Sequence, residues 1–273
     1  MLWNVKNLKI VLEGREMPCA AFGRGEKVLV LLPGLGDGLK NVTGMALPLA
    51  WMYRRFAREF RVLVLSRAIP LKEGSTTAHM AEDVACALRQ LGVEKASVIG
   101  VSMGGMIAQH LAIAHPELVE KLALVVTCPS PNSTLEDSVD SWTEMARRGD
   151  HRALMVDNGN RIYSDSYLKK YGWMFPIAAR FTKPKSYRQF LIMAAACRNH
   201  NAQAGLASIQ APTLVIGGEK DRTLSGDPSR ALAAAIPGAE LKMYREYGHG
   251  CYEEAPDFQQ TMLAFLAENE KTT

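Results

Sequence analysis

Ser102 stands in Gly100-Val101-Ser102-Met103-Gly104, after the apolar run Ala96-Ser97-Val98-Ile99 and before the helix-compatible stretch Gly105–Ala112. A serine on a sharp turn between a strand and a helix is lifted above the strand ends, and small residues two places to either side let the turn close without clashes. The helix N-terminus behind it offers backbone N–H groups to a developing negative charge. A serine hydroxyl is a poor nucleophile at neutral pH and needs a base, in this setting almost always a histidine. Of the six histidines, His79 lies within a helix pattern and His110 and His115 on the helix that follows Ser102. His151 and His200 belong to a long helical stretch further on. His249 differs: glycines flank it in Tyr247-Gly248-His249-Gly250-Cys251, just past the last apolar strand, and leave its imidazole room to face the sheet edge.

Such a base needs a carboxylate to hold its tautomer and stabilise the imidazolium. The run Pro212–Ile216 is followed by Gly217-Gly218-Glu219-Lys220-Asp221-Arg222. Asp221 falls in a loop at the C-terminal edge, where ligands bind in open α/β sheets, and is the favoured acid; Glu219 and Asp227 are its competitors. The position after the preceding strand reads Thr127-Cys128-Pro129 and holds no acid. The order Ser102, Asp221, His249 is nucleophile, acid, base. An oxyanion needs backbone donors, and the Met103 N–H is one by position. The other is expected at Leu35, in the turn Pro33-Gly34-Leu35-Gly36-Asp37-Gly38. That turn does not complete the dinucleotide-binding glycine spacing and has no P-loop lysine–serine/threonine pair. The chemistry requires neither a metal nor an organic cofactor.

Strands and helices must alternate to place these groups on one edge. Two short β-like runs, Leu8–Leu12 and Pro18–Phe22, precede Lys27–Leu32, an unbroken apolar run suited to a strand buried on both faces. Similar runs recur at Arg61–Leu65, Ala96–Val101, Leu122–Val126, Pro212–Ile216 and Glu240–Tyr244. Helix-like segments at 45–58, 76–92, 103–115, 228–236 and 255–268 separate most of them, which predicts right-handed crossovers and a mostly parallel sheet. From Cys128 to Ser208 the rhythm breaks into helix-compatible pieces: Thr134–Arg147, His151–Asn158, Ser164–Gly172 and Ser186–Asn199. The expected organisation is a core of residues 1–128 and 209–273 with a helical cap at 129–208. Cap aromatics and methionines such as Trp142, Tyr167, Phe175 and Met193 are candidates to line an apolar pocket over Ser102.

The 273 residues suit one large α/β domain, or a core with a modest insertion. A net charge of +4 with intermixed acids and bases shows no basic stripe, so no nucleic-acid partner is expected. The densest basic group, Arg54-Arg55…Arg58…Arg61, reads as a solvated helix face, as does Lys183…Lys185…Arg188. Five cysteines, an odd number without metal-like spacing, suggest free thiols in a reducing compartment. With lysines interrupting the apolar residues of the N-terminus, and no stretch near the roughly 18 apolar residues of a span, the expectation is a cytoplasmic protein without a membrane partner. Oligomeric state is left open.

The Gly-rich turn after a strand, Gly100-Val101-Ser102-Met103-Gly104-Gly105, Gly218-Glu219-Lys220-Asp221 and Gly248-His249-Gly250 together resemble the α/β-hydrolase family in order and spacing. The resemblance spans essentially the whole chain. It implies an eight-stranded sheet with a Ser-His-Asp triad at its C-terminal edge and a helical cap after the sixth strand. Two segments depart from the pattern. Many members have His-Gly where this chain has Pro33-Gly34, and an Asp-x-Arg-Gly-x-Gly-like segment where it has Ser66-Arg67-Ala68-Ile69-Pro70-Leu71.

The expected activity is that of a carboxylesterase-like serine hydrolase acting on small, apolar carboxylic esters through an acyl-enzyme on Ser102. The alternatives are an amidase or aminopeptidase, or a C–C bond hydrolase, on the same triad. An aminopeptidase would hold its substrate amine with a cap acid, for which Glu136, Asp137, Asp140, Glu144, Asp157 and Asp165 are available. From another class altogether comes a non-catalytic receptor for a small apolar ligand.

Overall fold

The computed structural model describes residues 3–267. Eight strands form one sheet: β1 (Lys6–Leu12), β2 (Arg15–Gly23), β3 (Val28–Leu32), β4 (Arg61–Leu65), β5 (Ala96–Val101), β6 (Val119–Val125), β7 (Thr213–Gly218) and β8 (Glu240–Tyr244). Their spatial order is β1-β2-β4-β3-β5-β6-β7-β8. The first two strands pair antiparallel with each other, and β2 also with β4; the remaining pairs are parallel.

The continuous apolar runs explain this arrangement. All five residues of β3 are buried, and they divide by parity: Val28, Val30 and Leu32 enter one core, Leu29 and Leu31 the other. Helices α1 (Ala46–Met52) and α2 (Phe56–Glu59) pack on the Leu29 side, and α3 (Thr77–Gln90) and α4 (Met103–Ala114) on the Val30 side. One strand differs from expectation. Glu240 and Leu241 of β8 are exposed, because β8 is the sheet edge rather than a two-sided core strand.

Between β6 and β7 come α5 (Ser133–Arg147), α6 (His151–Ile162), α7 (Asp165–Tyr171), α8 (Met174–Thr182) and α9 (Arg188–Arg198). Asn132, Asp150 and Ser164 start the first three of these, each side chain accepting from a backbone N–H three residues on. Helix α8 falls between the pieces expected at Ser164–Gly172 and Ser186–Asn199 and has no counterpart among them. Pro176 is its third residue, where the backbone N–H has no intrahelical partner to lose. The chain then returns through β7 and α10 (Asp227–Ala235) to β8, and closes with α11 (Cys251–Glu254) and α12 (Phe258–Ala267). The expected single helix at 45–58 is divided in two, whereas the one expected at 255–268 is a single helix that begins only at Phe258, past Pro256, with α11 a separate turn before it and position 268 outside the described residues.

His200 lies just past α9, 2% exposed, its Nδ1 2.9 Å from the Thr77 hydroxyl and its ring edge-on to His110. Burial, reinforced by His110, lowers its pKa from the usual 6.5 to about 3. The unfolded chain therefore binds a proton that the native state refuses between those values, and stability falls as pH drops from about 6.5 towards 3. We expect His200→Phe to show a shallower loss of unfolding free energy between neutral and acid pH than the parent. Urea titrations across that range check this, and parallel slopes would refute it.

Candidate active site

Ser102 has φ 53° and ψ −119°, a left-handed backbone that costs a non-glycine residue about 1–3 kcal/mol. Close packing enforces it. A Cβ on Gly104 would lie 2.6 Å from the Leu32 carbonyl carbon and 2.7 Å from the Pro33 oxygen; one on Gly100 would lie 2.6 Å from Gly105 Cα. The start of α4 is thereby pressed against the end of β3, and the chain between Gly100 and Gly104 has only the outward route. The Ser102 N–H donates to Val125 O at 2.8 Å, pinning the turn to β6. The residue just past that strand, Val126, is also left-handed at φ 44°, its N–H 2.8 Å from Ile216 O. The Ser102 hydroxyl makes no hydrogen bond among the described residues, which leaves it free for a ligand.

Asp221 and His249 meet at the same edge, beyond β7 and β8. Asp221 Oδ2 accepts from His249 Nδ1 at 2.7 Å, and both side chains are almost wholly buried. The other carboxylate oxygen accepts from the Thr223 and Leu224 N–H groups at 2.7 and 3.0 Å, so the acid cannot swing away. The competing acids are used elsewhere: Glu219 pairs with Arg230, and Asp227 opens α10. So are the other histidines. His79 closes a capping box with Thr76, His115 pairs with Glu82, and His151 contacts the Thr182 hydroxyl. The loop carrying His249 is tied to the helices between β6 and β7, because the Gly250 N–H donates to Ile162 O at 2.7 Å and Tyr163 Oη donates to Glu253 at 2.7 Å.

The Leu35 and Met103 N–H groups have no acceptor among the described residues, and each sits at the first position of a helical turn. Beneath Leu35 lies a polar cluster that sequence reasoning missed. Asp37 accepts from the Ser66 hydroxyl at 2.6 Å and the Arg67 N–H at 3.0 Å. Arg67, 2% exposed, donates through Nη2 to the Pro33 carbonyl. Burial pushes the Asp37 carboxyl up, opposed by the Arg67 charge and the Ser66 hydrogen bond, and the same burial lowers Arg67. Pro33 and the Ser66–Leu71 segment, read from sequence as two separate departures, are therefore one connected feature. Across the turn, Gly38 lies against Phe190 and Met193 of α9.

A profile of the alpha/beta hydrolase fold matches residues 27–256. The chain belongs to the α/β-hydrolase fold family. It is 25% identical over 269 residues to a 2-hydroxy-6-oxononadienedioate/2-hydroxy-6-oxononatrienedioate hydrolase of a Pseudomonas species, across 90% of this chain and 89% of that protein. Among solved structures it resembles an alpha/beta hydrolase enzyme from a Medee basin deep-sea metagenome library, with a TM-score of 0.86 and 20% identity over 96% of this chain and 98% of the other. The enol-lactonase of Burkholderia xenovorans LB400 superposes with a TM-score of 0.81 at 22% identity, over 96% and 100%. No helix among the described residues is long and apolar enough to cross a membrane.

In this α/β-hydrolase a cavity of about 510 Å³ begins beside the serine, at Pro33, Gly34 and Val101. It descends between the sheet and α1 over Leu31, Val64, Ile99 and Phe56, with Lys40, Glu253 and Gln259 among its polar residues. Of the aromatics between β6 and β7, Tyr167 lines it; the deeper wall comes from the core and not from the helices after β6.

Two substitutions probe the packing that holds the site. Gly104→Ala drives a methyl group into the β3 backbone and should cost about 3 kcal/mol or more, read by urea unfolding. Arg67→Met takes the guanidinium from the Pro33 carbonyl and the nearby positive charge from the half-buried Asp37, with an expected loss of about 1–3 kcal/mol. Adding Asp37→Asn to it should restore part of that loss, and an additive double mutant would show that the two charges do not support each other.

Proposed function

We propose that this hydrolase cleaves carboxylic esters with an apolar acyl group through an acyl-enzyme on Ser102. The observation that carries the reading is the strained Ser102 turn, its hydroxyl unpaired, on the same sheet edge as the buried Asp221–His249 pair. The roles follow from the chemistry of each group. His249 Nε2 takes the Ser102 proton as Oγ attacks the ester carbonyl carbon, and Asp221 holds the opposite ring nitrogen protonated and stabilises the imidazolium. The carbonyl π-electrons move to oxygen, where the Leu35 and Met103 N–H groups stabilise the charge. As the tetrahedral intermediate collapses, the C–O bond to the alcohol breaks and His249 returns its proton to the leaving oxygen. Water, deprotonated by His249, then attacks the acyl-enzyme, releasing the acid and restoring Ser102.

The apolar walls of the cavity support an apolar acyl group, since each buried methylene contributes about 0.8 kcal/mol. Residues 129–208 act in this reading as the cap, with Tyr167 facing the cavity. Similarity to the 2-hydroxy-6-oxononadienedioate hydrolase favours a second reading, hydrolysis of an activated C–C bond by the same serine.

Ser102→Ala should lower kcat on p-nitrophenyl esters by at least about a thousandfold. In the parent, kcat/KM should rise from acetate to hexanoate by up to roughly fourfold per methylene. Near-parental turnover by Ser102→Ala would exclude the covalent route. Faster consumption of a 2-hydroxy-6-oxo dienoate than of any ester would transfer the assignment to C–C cleavage.

A further inference from the structure

Residues 166–218 contain no aspartate or glutamate, yet seven lysines and arginines: Lys169, Lys170, Arg180, Lys183, Lys185, Arg188 and Arg198. The last two are paired, Arg188 with Glu73 and Arg198 with Glu136 and Asp140. The other five are exposed on and around α7 and α8, and none has an ion-pair partner among the described residues. A run of uncompensated cations is common on solvated faces. What sets this one apart is the surface it surrounds.

Helix α8 packs inward through Phe175, whose ring lies against Gly159 of α6, through the buried Ala179, and through Thr182, whose hydroxyl meets His151. That orientation turns Met174, Ile177 and Phe181, at helical positions i, i+3 and i+7, outward as one stripe. They are 45%, 46% and 83% exposed, and Trp173 just before the helix is 64% exposed. A second exposed apolar group stands on α1: Leu47 and Trp51, one turn apart, with Met52. Basic residues also border it, namely Arg54, Arg55 and Arg58, with the Arg54 guanidinium 5.2 Å from the centre of the Trp51 ring. The two groups lie to either side of the same cavity, since Met52 at the end of α1 and Tyr167 of α7 both line it.

We propose that these faces form a lipid-contacting surface that seats the enzyme on anionic phospholipid. Trp173, Ile177 and Phe181 enter the boundary between headgroups and acyl chains, and Lys169, Lys170, Arg180, Lys183 and Lys185 meet the phosphates. Charge complementarity selects this occupant. An apolar stripe bordered by five unpaired cations, with the nearby Asp165 already paired to Arg222, matches an anionic interface, and tryptophan with phenylalanine on the apolar side is the composition of helices that lie in one. A second copy of this chain would bring the same cations face to face. The expectation of no membrane partner rested on the lack of a spanning stretch, which bears on insertion and not on a face of this kind. The cavity mouth then opens towards the lipid, so that an amphiphilic substrate passes from the interface without crossing water.

The test uses the full-length Ser102→Ala protein, so that its outcome is independent of the ester reading. Co-sedimentation and tryptophan emission are measured with vesicles of phosphatidylcholine alone and of phosphatidylcholine mixed with phosphatidylglycerol. Binding and a blue shift are expected with the anionic vesicles, weakening with added salt. Ile177→Ser with Phe181→Ser, and separately Lys169→Glu with Lys183→Glu and Lys185→Glu, should each reduce the partition coefficient at least about tenfold. All five positions are exposed, and an unchanged thermal midpoint confirms that the variants fold. Failure to bind either vesicle overturns the proposal, as does equal binding by parent and both variants. So does a concentration-dependent dimer that Phe181→Ser abolishes, which would make this face a self-association surface.

Discussion

The backbone of α4 touches the backbone of β3 at Gly104, with no side chain between them, and the site follows from that contact. A helix carrying even a methyl group there would stand off from the sheet, and the chain from β5 would enter it by a relaxed turn. Pressed against Leu32 and Pro33, it forces Ser102 into a left-handed conformation and out over the strand ends. The same contact brings the Met103 N–H close to the turn that carries Leu35. A single steric constraint thus sets the position of the hydroxyl and of its neighbouring backbone donors. The strain is sustained by the cores on both faces of the sheet, in which β3 and β5 are almost entirely buried.

Two acid–base pairs, one buried and one half-buried, stabilise the loops around that turn in different ways. Asp221 and His249 hydrogen-bond directly, and backbone N–H groups from the chain just beyond Asp221 hold the acid, so its loop is self-supporting. Asp37 and Arg67 act across elements. The carboxylate belongs to the Gly-rich turn, the guanidinium to the chain after β4, and Arg67 reaches back to the Pro33 carbonyl. A proline cannot hydrogen-bond its surroundings through a side chain, and here its carbonyl is gripped instead.

Much of the sheet was legible in the sequence, because a strand buried on both faces needs an unbroken apolar run, and Lys27–Leu32 and Ala96–Val101 contain little else. The misreadings have physical causes. The β8 run reads like the others, but burial on its outer side depends on a neighbour that only the fold can deny it. Pro176 breaks a helix when interior and is harmless in the first turn, and composition does not say which turn it occupies. At the site, the glycines around Ser102 and His249 marked those residues by local backbone demands. Asp221, Glu219 and Asp227 were separable by position but not by partner, since partnership with His249 or Arg230 is set across 28 or 11 residues of chain. The link between Pro33 and Arg67 spans two strands and leaves no periodic trace.

The helices after β6 occupy the place of a single crossover connection between two parallel neighbours. Strands β6 and β7 are in register from Leu122↔Thr213 to Val125↔Ile216, and the stretch Gln203–Ser208 returns to the sheet alongside α4. Strand pairing and that return path therefore fix the handedness of the crossover before any of the excursion is specified. Lineages sharing this sheet can lengthen, shorten or replace the excursion without renegotiating the strand order beneath it. Selection can then rework the surface above a fixed strand edge, changing what covers Ser102 while leaving the conformation of Ser102 alone.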